Sequence, residues 1–168
     1  MKTKKLTSMA LLSAVALIIF IIEAQIPPVV PVTGVKLGLS NIITVFAVWV
    51  LGAKEAAAIL LVRIFLGAVF AGNFSTILYS LGGGVLALLT TVGLRYVLRN
   101  NQLWIAGCLG AVAHSVGQMV VAVWVSQTMT LLIYLPIMVI CSIVTGSFTG
   151  LCAQILVKRE KLWKTIFK

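Results

Sequence analysis

Residues 103–125 read LWIAGCLGAVAHSVGQMVVAVWV, 23 positions without one Asp, Glu, Lys or Arg. A helix needs about 20 mainly apolar residues to cross the hydrocarbon core of a bilayer, and this stretch supplies them. Similar runs recur along the chain, at Leu6–Ile26, Ala53–Ala71, Phe74–Leu94 and Thr130–Val157, with a shorter one at Leu37–Leu51. Only 10% of residues are charged and the mean hydropathy is +1.18. Soluble domains carry about 25% charged residues, enough to cover a water-facing surface. Apolar and polar residues do not alternate over ten-residue segments, which excludes a membrane barrel. The expected fold is therefore all-α: a polytopic membrane protein of six transmembrane helices in one domain, residues 1–157. The opening run is expected to be a retained helix, because it is long and Glu23-Ala24-Gln25 is a poor cleavage site.

The charges orient these spans. With the N-terminus inside, 11 of the 13 Lys and Arg residues fall on the cytoplasmic side, leaving Lys36 in an outer connection and Arg63 within a span. That bias satisfies the positive-inside rule with both termini cytoplasmic. The net charge of +10 then reflects topology and attraction to anionic membrane lipids, not a nucleic-acid partner. In the tail, residues 158–168, Leu162, Trp163, Ile166 and Phe167 face away from the lysines, as in a basic interfacial helix. Cys108, Cys141 and Cys152 are odd in number and lack metal-ligand spacing, so no disulfide or metal site is expected.

Small residues recur at helical spacing. Ser142, Gly146, Gly150 and Gln154 form an i, i+4 column on the last span, and Ala10 and Ala14 a shorter one on the first. Such columns let helices approach closely, and ordinary packing explains them. The run Gly82-Gly83-Gly84 lies inside a span with no preceding strand, so a phosphate loop is not expected.

Ionisable side chains at membrane depth are costly and as a rule face the bundle interior. At about 1.5 Å per residue, Arg63 and His114 both lie near the bilayer midplane. Gln118 is one turn above His114 on the same face. Glu23 sits toward the outer end of the first span, and Lys36 and Asn41 above it. Pooled inward, these residues would form a polar pocket open to the outside. Basic groups outnumber acidic ones there, which favours an anionic or carbonyl-rich ligand. A structural alternative stands beside this one: Arg63 paired with Glu23 across the bundle, and His114 and Gln118 as interhelical hydrogen-bond partners.

The segments GVKLGLSNIITVFAVWVLGAKEA (34–56), LVRIFLGAVF (61–70), YSLGGG (79–84) and AHSVGQ (113–118) resemble the Gx transporter family, also labelled heptaprenyl diphosphate synthase component I. The resemblance extends from about residue 31 to 150, and Ser115 stands where many members have asparagine. That family in turn resembles the S components of ECF transporters, six-helix substrate-binding subunits of the bacterial cytoplasmic membrane. The resemblance implies a ligand held by Lys36, Asn41, Arg63, His114 and Gln118, with Glu23 nearby. It implies a lid over residues 30–40, including Pro31, Gly34 and Gly38, and docking of a transmembrane coupling subunit at Ala10 and Ala14. Glycines would supply the lid's hinge freedom. The ligand would be a vitamin or small precursor. No Walker A sequence is present, so ATPases would be separate chains.

The synthase label does not imply catalysis by this chain. Prenyl diphosphate synthesis needs Mg²⁺ held by clustered carboxylates, and the three acidic residues, Glu23, Glu55 and Glu160, are far apart along the proposed topology. No catalytic residue and no built-in cofactor is expected. A second expectation comes from the family's link with isoprenoid-quinone metabolism and extracellular electron transfer. There the protein would bind a quinone or flavin, or dock a flavoprotein or a prenyl synthase component.

Overall fold

The computed structural model describes residues 2–26, 36, 38–72 and 75–159. Six α-helices follow one another: α1 (Lys2–Ala24), α2 (Asn41–Val50), α3 (Ala53–Ala71), α4 (Ser75–Arg95), α5 (Leu103–Ser126) and α6 (Leu135–Lys158). A 3₁₀ segment, Met129–Tyr134, leads into α6. Two boundaries differ from the sequence expectation. The second span begins at Asn41 rather than Leu37, because Gly38 has φ +80°, which a right-handed helix cannot accommodate. The last span is 3₁₀ before Leu135, because Pro136, at the start of α6, has no N–H to bond back one turn.

Among the described residues four segments are long and apolar enough to cross a membrane: Thr3–Ala24, Ser75–Arg95, Leu103–Ser126 and Met129–Lys158. Leu11, Phe65, Leu89, Val120 and Val144 lie exposed on the helix surfaces, while Glu23, Asn41, Arg63, His114 and Gln118 are buried. This inverted pattern suits a hydrocarbon solvent, where polar groups must be satisfied inside. The chain is a multi-pass membrane protein. The Lys5 ammonium donates to Glu55 Oε1 at 2.5 Å, bringing the starts of α1 and α3 to one end of the bundle, as two helices running in the same direction require.

The short α2 sits at the centre, in contact with all five other helices. Ile43, Thr44, Val45, Phe46, Ala47 and Val48 are all buried. A helix enclosed by protein need not match the bilayer thickness, so ten residues, about 15 Å, suffice.

The α4–α5 and α5–α6 contacts are made backbone to backbone. Gly117 meets Gly82 across the first, and Gly107 meets Gly146 and Gly150 across the second. The column Ser142, Gly146, Gly150 is thus the α6 side of an internal seam, where Ser142 Oγ lies 2.5 Å from Ser115 Oγ. Gly93 of α4 is different, with nothing within 4 Å of where its Cβ would stand. Gly93→Ala should stabilise the protein by up to about 1 kcal/mol through helix propensity alone. A thermal melt in detergent checks it; a lower melting temperature would mean that this face packs on something.

Candidate functional site

One buried layer gathers the polar residues of four helices and the connection before α2. Glu23, Arg63 and His114 are only 4%, 3% and 2% exposed. Gly38 N–H donates to Glu23 Oε1 at 2.5 Å, and Lys36 N–H donates to Gln118 Oε1 at 3.1 Å. Arg63 Nη1 donates to Ser40 Oγ at 2.5 Å. Lys36, Gly38 and Ser40 are therefore tied to α5, α1 and α3 in succession.

Gly38 is the position where this threading demands glycine. Its positive φ is one reason. The other is space: a Cβ there would fall 2.8 Å from Asn41 Nδ2 and 2.9 Å from His114 Cδ2. His114 is closed in from the other side by Gly83, whose Cβ would stand 2.9 Å from His114 Cε1 and 2.7 Å from Gln118 Cγ. The His114 ring bonds the Gly83 backbone and its Nδ1 has no partner, so Nε2 makes the bond. Inside α4 the Gly83 N–H serves the helix, which leaves its carbonyl to accept from Nε2–H.

Phe20 organises the two cations. Its ring lies 3.4 Å from Lys36 Nζ and 5.6 Å from the Arg63 guanidinium carbon, and it covers α3 at Gly67, one turn beyond Arg63. Cation–π attraction of this kind strengthens when water is excluded. Partial burial and the Arg63 charge bring the Lys36 ammonium down to about 8 from its ordinary 10.5, while Glu23 opposes the shift.

The structure thus brings together all six residues proposed from sequence: Glu23, Lys36, Asn41, Arg63, His114 and Gln118. Short contacts link them: Lys36 reaches Gln118 and the Phe20 ring, Gly38 lies against Glu23, Asn41 and His114, and Arg63 shares the Phe20 ring with Lys36. Among the described residues Lys5–Glu55 is the one ion pair within 4.0 Å, so Arg63 is not paired with Glu23. Pro31 and Gly34 of the expected lid, and residues 160–168 of the tail, lie outside the described residues. Ala10 and Ala14 are exposed on α1.

Three contributors were missed in the sequence. Phe20 precedes Glu23 by three residues and so shares its helix face, which was a usable signal. Ser40 adjoins Asn41, but a serine beside a helix start looks like a cap. Gly83 matters only through what α5 places against it.

Several polar atoms in this layer lack partners. Seven buried side-chain nitrogen or oxygen atoms have no hydrogen bond among the described residues, and six are here: Glu23 Oε2, Asn41 Nδ2 and Oδ1, Arg63 Nε and Nη2, and His114 Nδ1. The seventh is Gln154 Oε1. No group of three or more His, Cys, Asp or Glu side chains able to hold a metal occurs among the described residues.

The family model of heptaprenyl diphosphate synthase component I matches residues 12–156 of the 168. The chain belongs to that family. Every residue of the polar layer falls within the matched range. No curated protein and no solved structure matches the chain.

Proposed function

We propose that this family member is the substrate-binding membrane subunit of an ECF-type uptake system for a vitamin or small precursor. The ligand enters from outside and is held by Glu23, Lys36, Asn41, Arg63, His114 and Gln118, with both chain ends at the cytoplasmic face. One observation carries this reading: six unpartnered buried polar atoms belong to four residues of one polar cluster in a membrane bundle. Each buried group left unsatisfied costs about 1–3 kcal/mol, and a bound molecule that supplies the partners offsets that cost. The exposed Ala10 and Ala14 suit a coupling subunit on α1, and ATP hydrolysis belongs to separate chains. In this reading the protein is a binding subunit and not an enzyme: prenyl diphosphate chemistry needs Mg²⁺ held by clustered carboxylates, and the sequence offers only Glu23, Glu55 and Glu160, widely spaced along it.

Native mass spectrometry of the protein in mild detergent tests this reading. A water-soluble vitamin-like mass travelling with the protein is the expected result. Protein that carries nothing, and takes up nothing from a mixture of cell metabolites, would sink it.

A second reading has one feature in its favour. An apolar groove of about 410 Å³ runs along the outer face of α4 and α5, between Leu78 and Trp124, with Gly82 and Gly117 at its floor. Their chain neighbours Gly83 and Gln118 belong to the polar layer. A prenylated quinone could lay its tail there, and a quinone mass in the same experiment would favour this reading.

The proposed site has a pH signature. Lys36 is charged below about 8 and neutral above it, so capture of an anion should be flat from pH 6 to 7.5 and weaken several-fold by pH 9. The free protein should respond in the opposite direction. Between about 8 and 10.5 the unfolded chain holds the Lys36 proton more tightly, so this group's contribution to stability rises with pH there. Equilibrium dialysis and thermal melts at the same pH values check both signs.

A further inference from the structure

The unpartnered atoms around Arg63 also describe what the ligand carries. Ser40 occupies Nη1, while Nε and Nη2 are free. Those two nitrogens form the side edge of the guanidinium, a pair of parallel donors spaced to meet two oxygens of one oxyanion. Ser40 therefore fixes the plane of the guanidinium and leaves its bidentate edge open. The surrounding atoms have the opposite polarity. Glu23 Oε2, Asn41 Oδ1 and, in the neutral ring, His114 Nδ1 are acceptors. They need N–H or O–H groups, while Asn41 Nδ2 needs a carbonyl.

Resting on the uptake-subunit reading, we infer that the ligand is a small carboxylate that also bears N–H or O–H donors, its carboxylate held by the open edge of Arg63. A phosphate ester fits less well. At neutral pH a phosphate monoester is mostly a dianion. Lys36 and Arg63 against Glu23 leave a single basic group in excess, the balance for a monoanion. A neutral amide or quinone would leave one of the two Arg63 donors without an oxygen.

The test incubates purified wild-type protein and Arg63→Lys with a total small-molecule extract of bacterial cells, then identifies what each retains by mass spectrometry after ultrafiltration. Lysine keeps the charge but lacks the fork. The expected result is a retained carboxylic acid whose affinity falls at least 50-fold in Arg63→Lys. If that variant does not melt cooperatively, the retained molecule is compared with its own methyl ester on wild-type protein. The ester should bind at least 50-fold more weakly. A retained phosphate ester or water-soluble neutral molecule would overturn the carboxylate assignment and leave the uptake-subunit reading intact. So would an acid that binds Arg63→Lys, or whose methyl ester binds wild-type protein, with undiminished affinity. Retention of a quinone, or of nothing, would overturn both.

Discussion

Replacing Arg63 with alanine should weaken small-molecule capture by about 10²- to 10⁴-fold while the protein still inserts and melts cooperatively. The magnitude follows from two hydrogen bonds to a charged group at about 1.5–3 kcal/mol each, with about 1.4 kcal/mol per tenfold in affinity. The fold should survive because Arg63 makes no ion pair within 4.0 Å among the described residues and its one hydrogen bond is to the Ser40 hydroxyl, a neutral group. Equilibrium dialysis of the molecule found by native mass spectrometry, with wild type and variant side by side, measures the effect. Capture at wild-type affinity would place the ligand somewhere other than this layer.

The second large effect concerns stability. Gly107→Ala adds one methyl group where α5 crosses α6, and that methyl would stand 2.5 Å from Gly146 O and 2.7 Å from Gly150 N. Overpacking costs about 1–3 kcal/mol when side chains can shift. Here the obstacles are backbone atoms of a helix, so the cost should lie at or above the top of that range. At about 2–4 °C per kcal/mol for a chain of this size, the melting temperature should fall by roughly 6–12 °C. The four tryptophans supply the fluorescence signal. Gly93→Ala is the matched control, also a helical glycine but with open space around it. If both variants melt like wild type, the close α5–α6 seam is wrong.

The two substitutions separate what the polar layer and the glycine seams do. The seams hold α5 between α4 and α6 and so fix where His114 and Gln118 stand. The layer itself is left with unpartnered atoms that a purely structural network would have satisfied, since buried polar groups are nearly all hydrogen-bonded.

Sequence alone determined the class of the protein and the identity of its polar residues. Apolar runs of membrane length and a low share of charged residues are local, additive properties, so they can be read without knowing any contact. The rarity of charge at membrane depth likewise singles out Glu23, Arg63 and His114, because each is costly wherever it points. Tertiary structure alone decided their geometry. That Arg63 bonds Ser40 rather than Glu23 depends on how Gly38 and Ser40 sit against α1 and α3. That placement goes with the positive φ of Gly38 and the enclosure of α2 among five helices. The roles of Phe20 and Gly83 arise only from what neighbouring helices bring to them. Helical spacing fixes which residues share a face, but rotation about each helix axis, and so the direction of every face, is settled by packing.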